Sequence, residues 1–236
     1  MTENKSSRWG AAIGGGIIGA GLTAALLFLA APDVFGERLV RQAIVSHPDI
    51  LVEASDALRD RQYAPTLDAQ RASIETPFHS SWKGAAKPDV TLAYYYDYAC
   101  GYCRKSNPDI DRLLAEDKGL RVVYHELPIL GPDSLASSRV ALAASKAGKF
   151  ATFHDTLSAA GNPTPAALAR AAAAAGVSPA PQDVADQEAA LKRNFDVAGQ
   201  LGATGTPLFV VGDRVINSAV GIDVLKDAVR DARARG

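Results

Sequence analysis

Sulfur and imidazole are scarce in this sequence. Its 236 residues hold one methionine, the initiator, with two cysteines and four histidines. So little methionine excludes an adaptable methionine-rich binding surface. Two cysteines exclude a disulfide-stapled mini-protein and a four-cysteine zinc module. Charge of one sign is missing too: 25 basic residues face 26 acidic ones, for a formal net charge of -1. No basic excess is left to track a phosphate backbone, so a nucleic-acid partner is not expected. Wholesale disorder is excluded by 47% hydrophobic against 22% charged residues. The length allows one or two domains with a sizeable core.

Charge is also absent from Gly10 to Ala31, which reads GAAIGGGIIGAGLTAALLFLAA before Pro32 and Asp33. About 22 residues at ~1.5 Å each reach ~33 Å, enough for a hydrocarbon core of ~30 Å. Lys5 and Arg8 precede the segment, which keeps the N-terminus cytoplasmic, with Trp9 at the interface. A cleavage site wants small residues in an A-x-A pattern. Leu29-Ala30-Ala31 followed by Pro32 departs from it. The reading is a single-pass inner-membrane anchor over 9–32, after a cytoplasmic tail over 1–8. A cleaved signal and a buried soluble helix are the alternatives. Glycine pairs such as Gly10 and Gly14 have small-xxx-small spacing, a weak signal in so glycine-rich a run.

Residues 33–87 read as a helical arm and linker. Leu51, Ala54 and Leu58 repeat at helical spacing, as do Leu67, Ile74 and Phe78. Ser46 or His47 can cap a helix with Pro48 and Asp49 in its first turn. The arm is either a stalk that makes a homo-oligomer through residues 33–80, or a set of helices packed on the next domain. Ser80 to Pro88 reads as linker from its Gly, Pro, Ser and Lys content.

From Asp89 the pattern alternates. Val90 to Tyr96 (VTLAYYY) and Leu120 to Leu127 (LRVVYHEL) read as strands, with a helix over Cys100 to Leu114 between them. Helices are expected over Ser134 to Gly148, Phe150 to Ala160, Thr164 to Gly176 and Gln182 to Leu201. Short strands over Leu208 to Val211 and Arg214 to Ile216 flank the turn at Gly212-Asp213, and a helix over Gly221 to Ala234 closes the chain. The fold class is α/β: a thioredoxin-like fold over 88–236 with an inserted helical subdomain over about 132–202, preceded by a transmembrane helix and a helical arm.

Cys100-Gly101-Tyr102-Cys103 stands where the first of these strands hands over to a helix. A C-x-x-C at such a junction is a redox signature. Free backbone N–H groups and the helix dipole stabilise a thiolate there, which marks Cys100 as the attacking sulfur. Cys103, one turn on, is placed to resolve the mixed disulfide. A four-residue loop constrains the unfolded chain little, so a purely structural bridge would add little stability. A metal site would need two more ligands, and His47, His79, His125 and His154 show no paired spacing. His154 reads as a packed or surface residue. His125 reads first as a strand-end polar residue and second as a neighbour of the redox site. Gly205-Thr206-Pro207 precedes a strand, where proline marks a strand start or a cis bond.

Three stretches together, YYYDYACGYCRKSNPDI, VVYHELPILGPDSLASSRVALAASKAGKF and GATGTPLFVVGDRVI, resemble the DsbA family of bacterial thiol-disulfide oxidoreductases, closest to its ScsC-like envelope branch. The resemblance implies catalysis by Cys100 and Cys103, redox tuning by Gly101 and Tyr102, and a cis Pro207 with Thr206 facing the disulfide. It implies that substrate segments pair with the backbone there. It further implies a periplasmic catalytic domain, cysteine-containing envelope proteins as substrates, a membrane redox partner, and no cofactor or metal. Oxidase and isomerase are both open. The sequence departs from the family at Tyr94, where relatives often carry a buried glutamate that relays the proton of the resolving cysteine; Glu126 is the candidate substitute. The rival reading is a non-enzymatic copper- or haem-handling thiol protein of the envelope, disfavoured by the lack of methionine and paired histidines.

Overall fold

A computed structural model describes residues 32–182 and 184–235. The expected anchor, up to Ala31, and the tail before it lie outside the described residues. Among those that are described, no helix is long and apolar enough to cross a membrane.

The chain divides into two compact units, one up to Leu58 and one from Arg59 on. Helix α1 (Pro32–Ser46) and the start of α2 (Asp49–Glu75) form the described part of the first. Its described residues leave much apolar surface in the open. Leu39, Val40, Val45, Ile50, Leu51, Val52 and Leu58 are all exposed.

The second unit is built on a five-stranded sheet in the order β1-β3-β2-β4-β5. The strands are β1 (Trp82–Gly84), β2 (Val90–Tyr96), β3 (Leu120–Glu126), β4 (Leu208–Val211) and β5 (Arg214–Ile216). Only β2 and β3 are parallel, joined by α3 (Gly101–Glu116); the other pairings are antiparallel. A parallel pair needs such a crossover. Helices α4 (Pro132–Lys146), α5 (Phe150–Ala159), α6 (Pro165–Ala175) and α7 (Ala185–Gln200) form the expected insertion, and α8 (Ile222–Arg235) ends the chain. Thr164 caps α6 by accepting from the Ala167 N–H, and Gly176 closes it in the left-handed region at φ 68°. Those two ends were legible from the Thr-Pro and the glycine.

One expectation fails in the linker. Within Ser80 to Pro88, Trp82–Gly84 is a strand, antiparallel to β3 with Trp82 opposite Val123. The segment lacks alternation because it is an edge strand, held by pairing and by the Arg121 guanidinium stacked 4.7 Å over the Trp82 ring.

Strand period 2 sends β2 into two cores. Leu92, Tyr94 and Tyr96 pack with Ile110 and Leu113 of α3, Phe150, Phe153 and Leu157 of α5, and Leu225 and Val229 of α8. Ala93 and Tyr95 pack on the other side with Leu67 and Ile74 of α2 and with Val197 and Ala198 of α7. Of the two readings of the arm, the part of α2 that carries Leu67 and Ile74 is therefore packed on the domain. Both faces being covered explains why VTLAYYY shows no polar alternation.

Candidate redox site

Cys100 is the N-cap residue of α3, in extended backbone at φ -75° and ψ 116°. Its N–H donates to the Asp97 carbonyl at 3.0 Å, which turns the chain out of β2. Asp97 itself is fully buried. Its carboxylate accepts from Ala99 N and Ser134 Oγ at 2.7 Å each, and from Ile129 N and Leu130 N at 2.8 and 2.9 Å. One side chain thus ties the cysteine turn to the loop after β3 and to the start of α4. Sequence reasoning passed over Asp97. The signal was present, since an aspartate three residues before a helix-capping cysteine suits an Asx-type turn.

Both cysteines are thiols here. Cys100 is 6% exposed and Cys103 2%, whereas Tyr102 between them is 63% exposed. Cys100 Sγ lies 3.3 Å from the Thr206 carbonyl, to which it donates. The Thr206–Pro207 bond is cis, as expected. The sequence-derived candidates Cys100, Gly101, Tyr102, Cys103, Thr206 and Pro207 therefore come together at one place. Beside them opens a cavity of about 330 Å3 between Tyr102, Thr204 to Pro207, and Asn217 to Ala219. Thr206 Oγ1 is buried there with no partner among the described residues. Asn217 to Ala219 carried no sequence signal; the β4–β5 hairpin delivers them.

The two thiols are electrostatically unlike. Burial pushes Cys100 up, but the favourable influence on its thiolate of the nearby Thr206 side chain, of Cys103 and of the Tyr102 backbone outweighs it, and its pKa falls below that of an ordinary thiol. Burial pushes Cys103 up to about 12, with only partial relief from the Asp97 backbone and Thr206. The low-pKa sulfur sits at the helix start and the high-pKa sulfur one turn in, as the helix-terminus argument requires.

Neither Glu126 nor His125 joins the pair. Glu126 is fully buried, and its carboxyl accepts from the Tyr96 hydroxyl and from Ser138 Oγ at 2.8 Å. Burial raises its pKa to about 8, so it is a neutral acid at pH 7. Tyr96 passes the network to Tyr98 at 3.0 Å, and Tyr98 to His154 at 3.1 Å. His154 is packed in the core, the first of the two environments expected for it. His125 points to the opposite face of the sheet and donates to Ile74 O at 2.7 Å. Tyr94, where the resemblance led one to expect a glutamate, donates its hydroxyl to the Cys103 carbonyl at 3.1 Å. A phenol thus reaches the backbone of the second cysteine.

A dithiol at a helix N-terminus, with unequal sulfurs and a cis proline against the more acidic one, is a site of the thiol–disulfide oxidoreductase-like kind on a thioredoxin-like fold. Within that class the chain belongs to the DSBA-like thioredoxin domain family, which matches residues 91–230. Residues 37–64 also match the N-terminal domain of copper resistance protein ScsC. A periplasmic thioredoxin-like protein from Salmonella enterica serovar Typhimurium is 28% identical, with a TM-score of 0.64 over 70% of this chain and 95% of that one. A linker-deletion mutant of ScsC from Proteus mirabilis is 27% identical, with a TM-score of 0.68 over 88% of this chain and 97% of its own. Among curated proteins, Na(+)/H(+) antiporter NhaA 3 of Salinispora tropica is 28% identical over 92% of this chain. The chain spans 32% of that antiporter's length.

Proposed function

We propose that the protein exchanges disulfides with cysteines of envelope proteins, as an oxidase or isomerase in the periplasm. The single observation that carries this reading is the placement of the two thiols, Cys100 at the N-cap of α3 against the carbonyl before cis Pro207 and Cys103 buried one turn further in. In the reducing direction the Cys100 thiolate attacks a substrate disulfide. One substrate sulfur leaves as a thiolate and a Cys100 mixed disulfide remains. Cys103 loses its proton and attacks Cys100, which frees the second substrate sulfur and closes the Cys100–Cys103 bond. In the oxidising direction every step reverses, and two electrons pass from substrate to protein. Cys100 is the nucleophile and Cys103 the resolving residue. Gly101 and Tyr102 tune the thiolate, and Thr206 and Pro207 border the bound substrate segment.

The catalytic domain spans 88–236, with 33–87 as arm and linker and 9–32 as the inner-membrane anchor. Likeness to a periplasmic thioredoxin-like protein supports the compartment. The exposed Leu39, Val45, Leu51 and Leu58 support homo-oligomerisation through 33–80, because a second copy would cover them. A membrane partner resets the pair after each turnover. The match to a domain of a copper resistance protein favours one rival, a non-enzymatic copper-holding thiol protein. Among the described residues no cluster of three or more His, Cys, Asp or Glu side chains stands ready for a metal.

The test is Cys103→Ser in cells. It should trap mixed disulfides with envelope proteins through Cys100, and Cys100→Ser should trap none. A clean gel for Cys103→Ser, with stoichiometric Cu(I) uptake by the wild type, would replace the enzyme by the copper reading. The reduction potential of the pair, with its redox state in vivo, separates oxidase from isomerase. Sedimentation of the full chain with membranes tests the anchor.

A further inference from the structure

The sheet face turned away from the cysteines holds a larger cavity than the one beside them. It measures about 470 Å3, between the end of α2, the strap over residues 77–79, β2, β3 and α7. That volume lies in the range of small-molecule sites, roughly 300–1,000 Å3.

Its walls are fastened. Ser145 Oγ donates to Phe78 O at 2.5 Å, Ser81 Oγ donates to Ser145 Oγ at 2.9 Å, and Ser80 Oγ donates to Ser145 O at 2.8 Å. Together they pin the strap to α4. His125 secures the end of α2 through Ile74 O, and Asn194 Nδ2 secures α7 to β3 through Glu126 O at 2.9 Å. The strap also holds His79 at φ 46°, a left-handed conformation rare for a residue other than glycine. A strained residue in a pinned strap is a familiar companion of a preformed site.

Its chemistry is one-sided. The floor is Tyr95, 1% exposed and stacked on His125 with ring centroids 4.5 Å apart. The Tyr95 hydroxyl makes no hydrogen bond among the described residues, although the neighbouring Tyr94 and Tyr96 hydroxyls are both bonded. The hydroxyl opens onto the cavity, where a bound ligand can accept from it. At the rim, Arg193 and His79 are exposed, and Arg193 forms no ion pair with a carboxylate among the described residues. No aspartate or glutamate lines the cavity. Asp186, an acid of the neighbouring α7, is itself held by Lys146 at 2.8 Å. The remaining wall joins an apolar patch of Pro77, Phe78 and Val197 to the neutral polar Ser73, Thr76 and Asn194.

We propose that this cavity is a second ligand site that takes a small organic carboxylate with an aromatic or branched apolar body. The apolar part lies against Phe78 and Val197. The carboxylate accepts from the Tyr95 hydroxyl and the Arg193 guanidinium, a charge-assisted pair of contacts. Because the sheet separates the cavity from Cys100, binding here is independent of thiol chemistry.

The test uses the full chain and 3-phenylpropionate as probe, followed by NMR shifts and calorimetry. Saturable binding is expected, with a Kd of about 1 mM or tighter and shifts at Tyr95, His125 and Val197. The neutral analogue 3-phenylpropanol should bind at least about tenfold more weakly, the loss of one charged contact. Arg193→Glu, on an exposed position, should weaken the acid by more than about tenfold, and Tyr95→Phe by about tenfold. Alkylation of Cys100 should be unchanged with the probe bound. The proposal falls if there is no saturation by about 20 mM, if acid and alcohol bind equally, if Arg193→Glu has no effect, or if the shifts cluster around Thr206.

Discussion

Tyr94 and Tyr96 face the cysteines, and Tyr95, between them on the same strand, faces away. On the first face every one of these hydroxyls is bonded: Tyr94 to the Cys103 carbonyl, Tyr96 to Glu126 and Tyr98. On the second, the Tyr95 hydroxyl is left to a cavity. The contrast separates two ways of using a buried polar group. On the cysteine face the phenols are bonded, and Tyr94 ties down the backbone of the second cysteine. Behind the sheet, one phenol opens onto a cavity between fastened walls. A strand period of two keeps the two uses a few ångströms apart without letting them mix.

Substitutions should respect that division. The largest effect belongs to Cys100→Ser, which should bring disulfide exchange with a cysteine-containing peptide to background. Arg193→Glu on the other face should leave the rate unchanged. Equal losses in both would erase the distinction between the faces.

Next is Asp97→Ala. It leaves three backbone N–H groups and the Ser134 hydroxyl without their acceptor. Loss of a buried charged acceptor costs about 2–4 kcal/mol. Chemical denaturation should show that loss, and hydrogen exchange should quicken at Ile129 and Leu130. A drop below about 0.5 kcal/mol would mean that the turn holds without its carboxylate.

The third prediction is a stability profile in pH. Glu126 has its pKa raised from 4.5 to about 8 by burial. The folded state therefore binds the extra proton, and stability falls as pH rises from the ordinary carboxylate value towards about 8. Burial lowers His154 to about 3 and His125 to about 4. Their contribution is complete above the ordinary histidine value and is lost as pH falls towards those lower values. Two histidines outweigh one acid below about pH 6.5, and only the acid titrates above it, so the maximum should lie near pH 6.5. Thermal unfolding from pH 4 to 9 checks this. In Glu126→Gln the alkaline decline should disappear while the acid limb stays. An alkaline decline of the same size in that variant would locate the titrating group elsewhere.

The smallest effect is expected from Tyr94→Phe. It removes one hydrogen bond to the Cys103 carbonyl, worth about 1 kcal/mol. Cys100 should keep its alkylation rate at pH 6 within about threefold. A large fall would give the phenol a direct part in the thiol chemistry.

Much of this molecule was legible in its residues before any coordinates. C-x-x-C at a strand-helix junction marked the redox pair, and Thr164-Pro165 with Gly176 bounded α6, because capping and cysteine spacing act within a turn or two of chain. Gly205-Thr206-Pro207 could be identified as the partner element through resemblance, roughly 100 residues downstream of the cysteines. Other features depend on which distant segments share a face. Trp82–Gly84 became a strand only because β3 offered an edge to pair with. Glu126 and His125 are neighbours in sequence, yet one closes a buried hydroxyl network on the cysteine side and the other stacks on Tyr95 behind the sheet. Local chemistry determined which residues can react. Only the tertiary structure decided the role of Asp97 and the existence of the second cavity, because burial and non-local contacts set both of them.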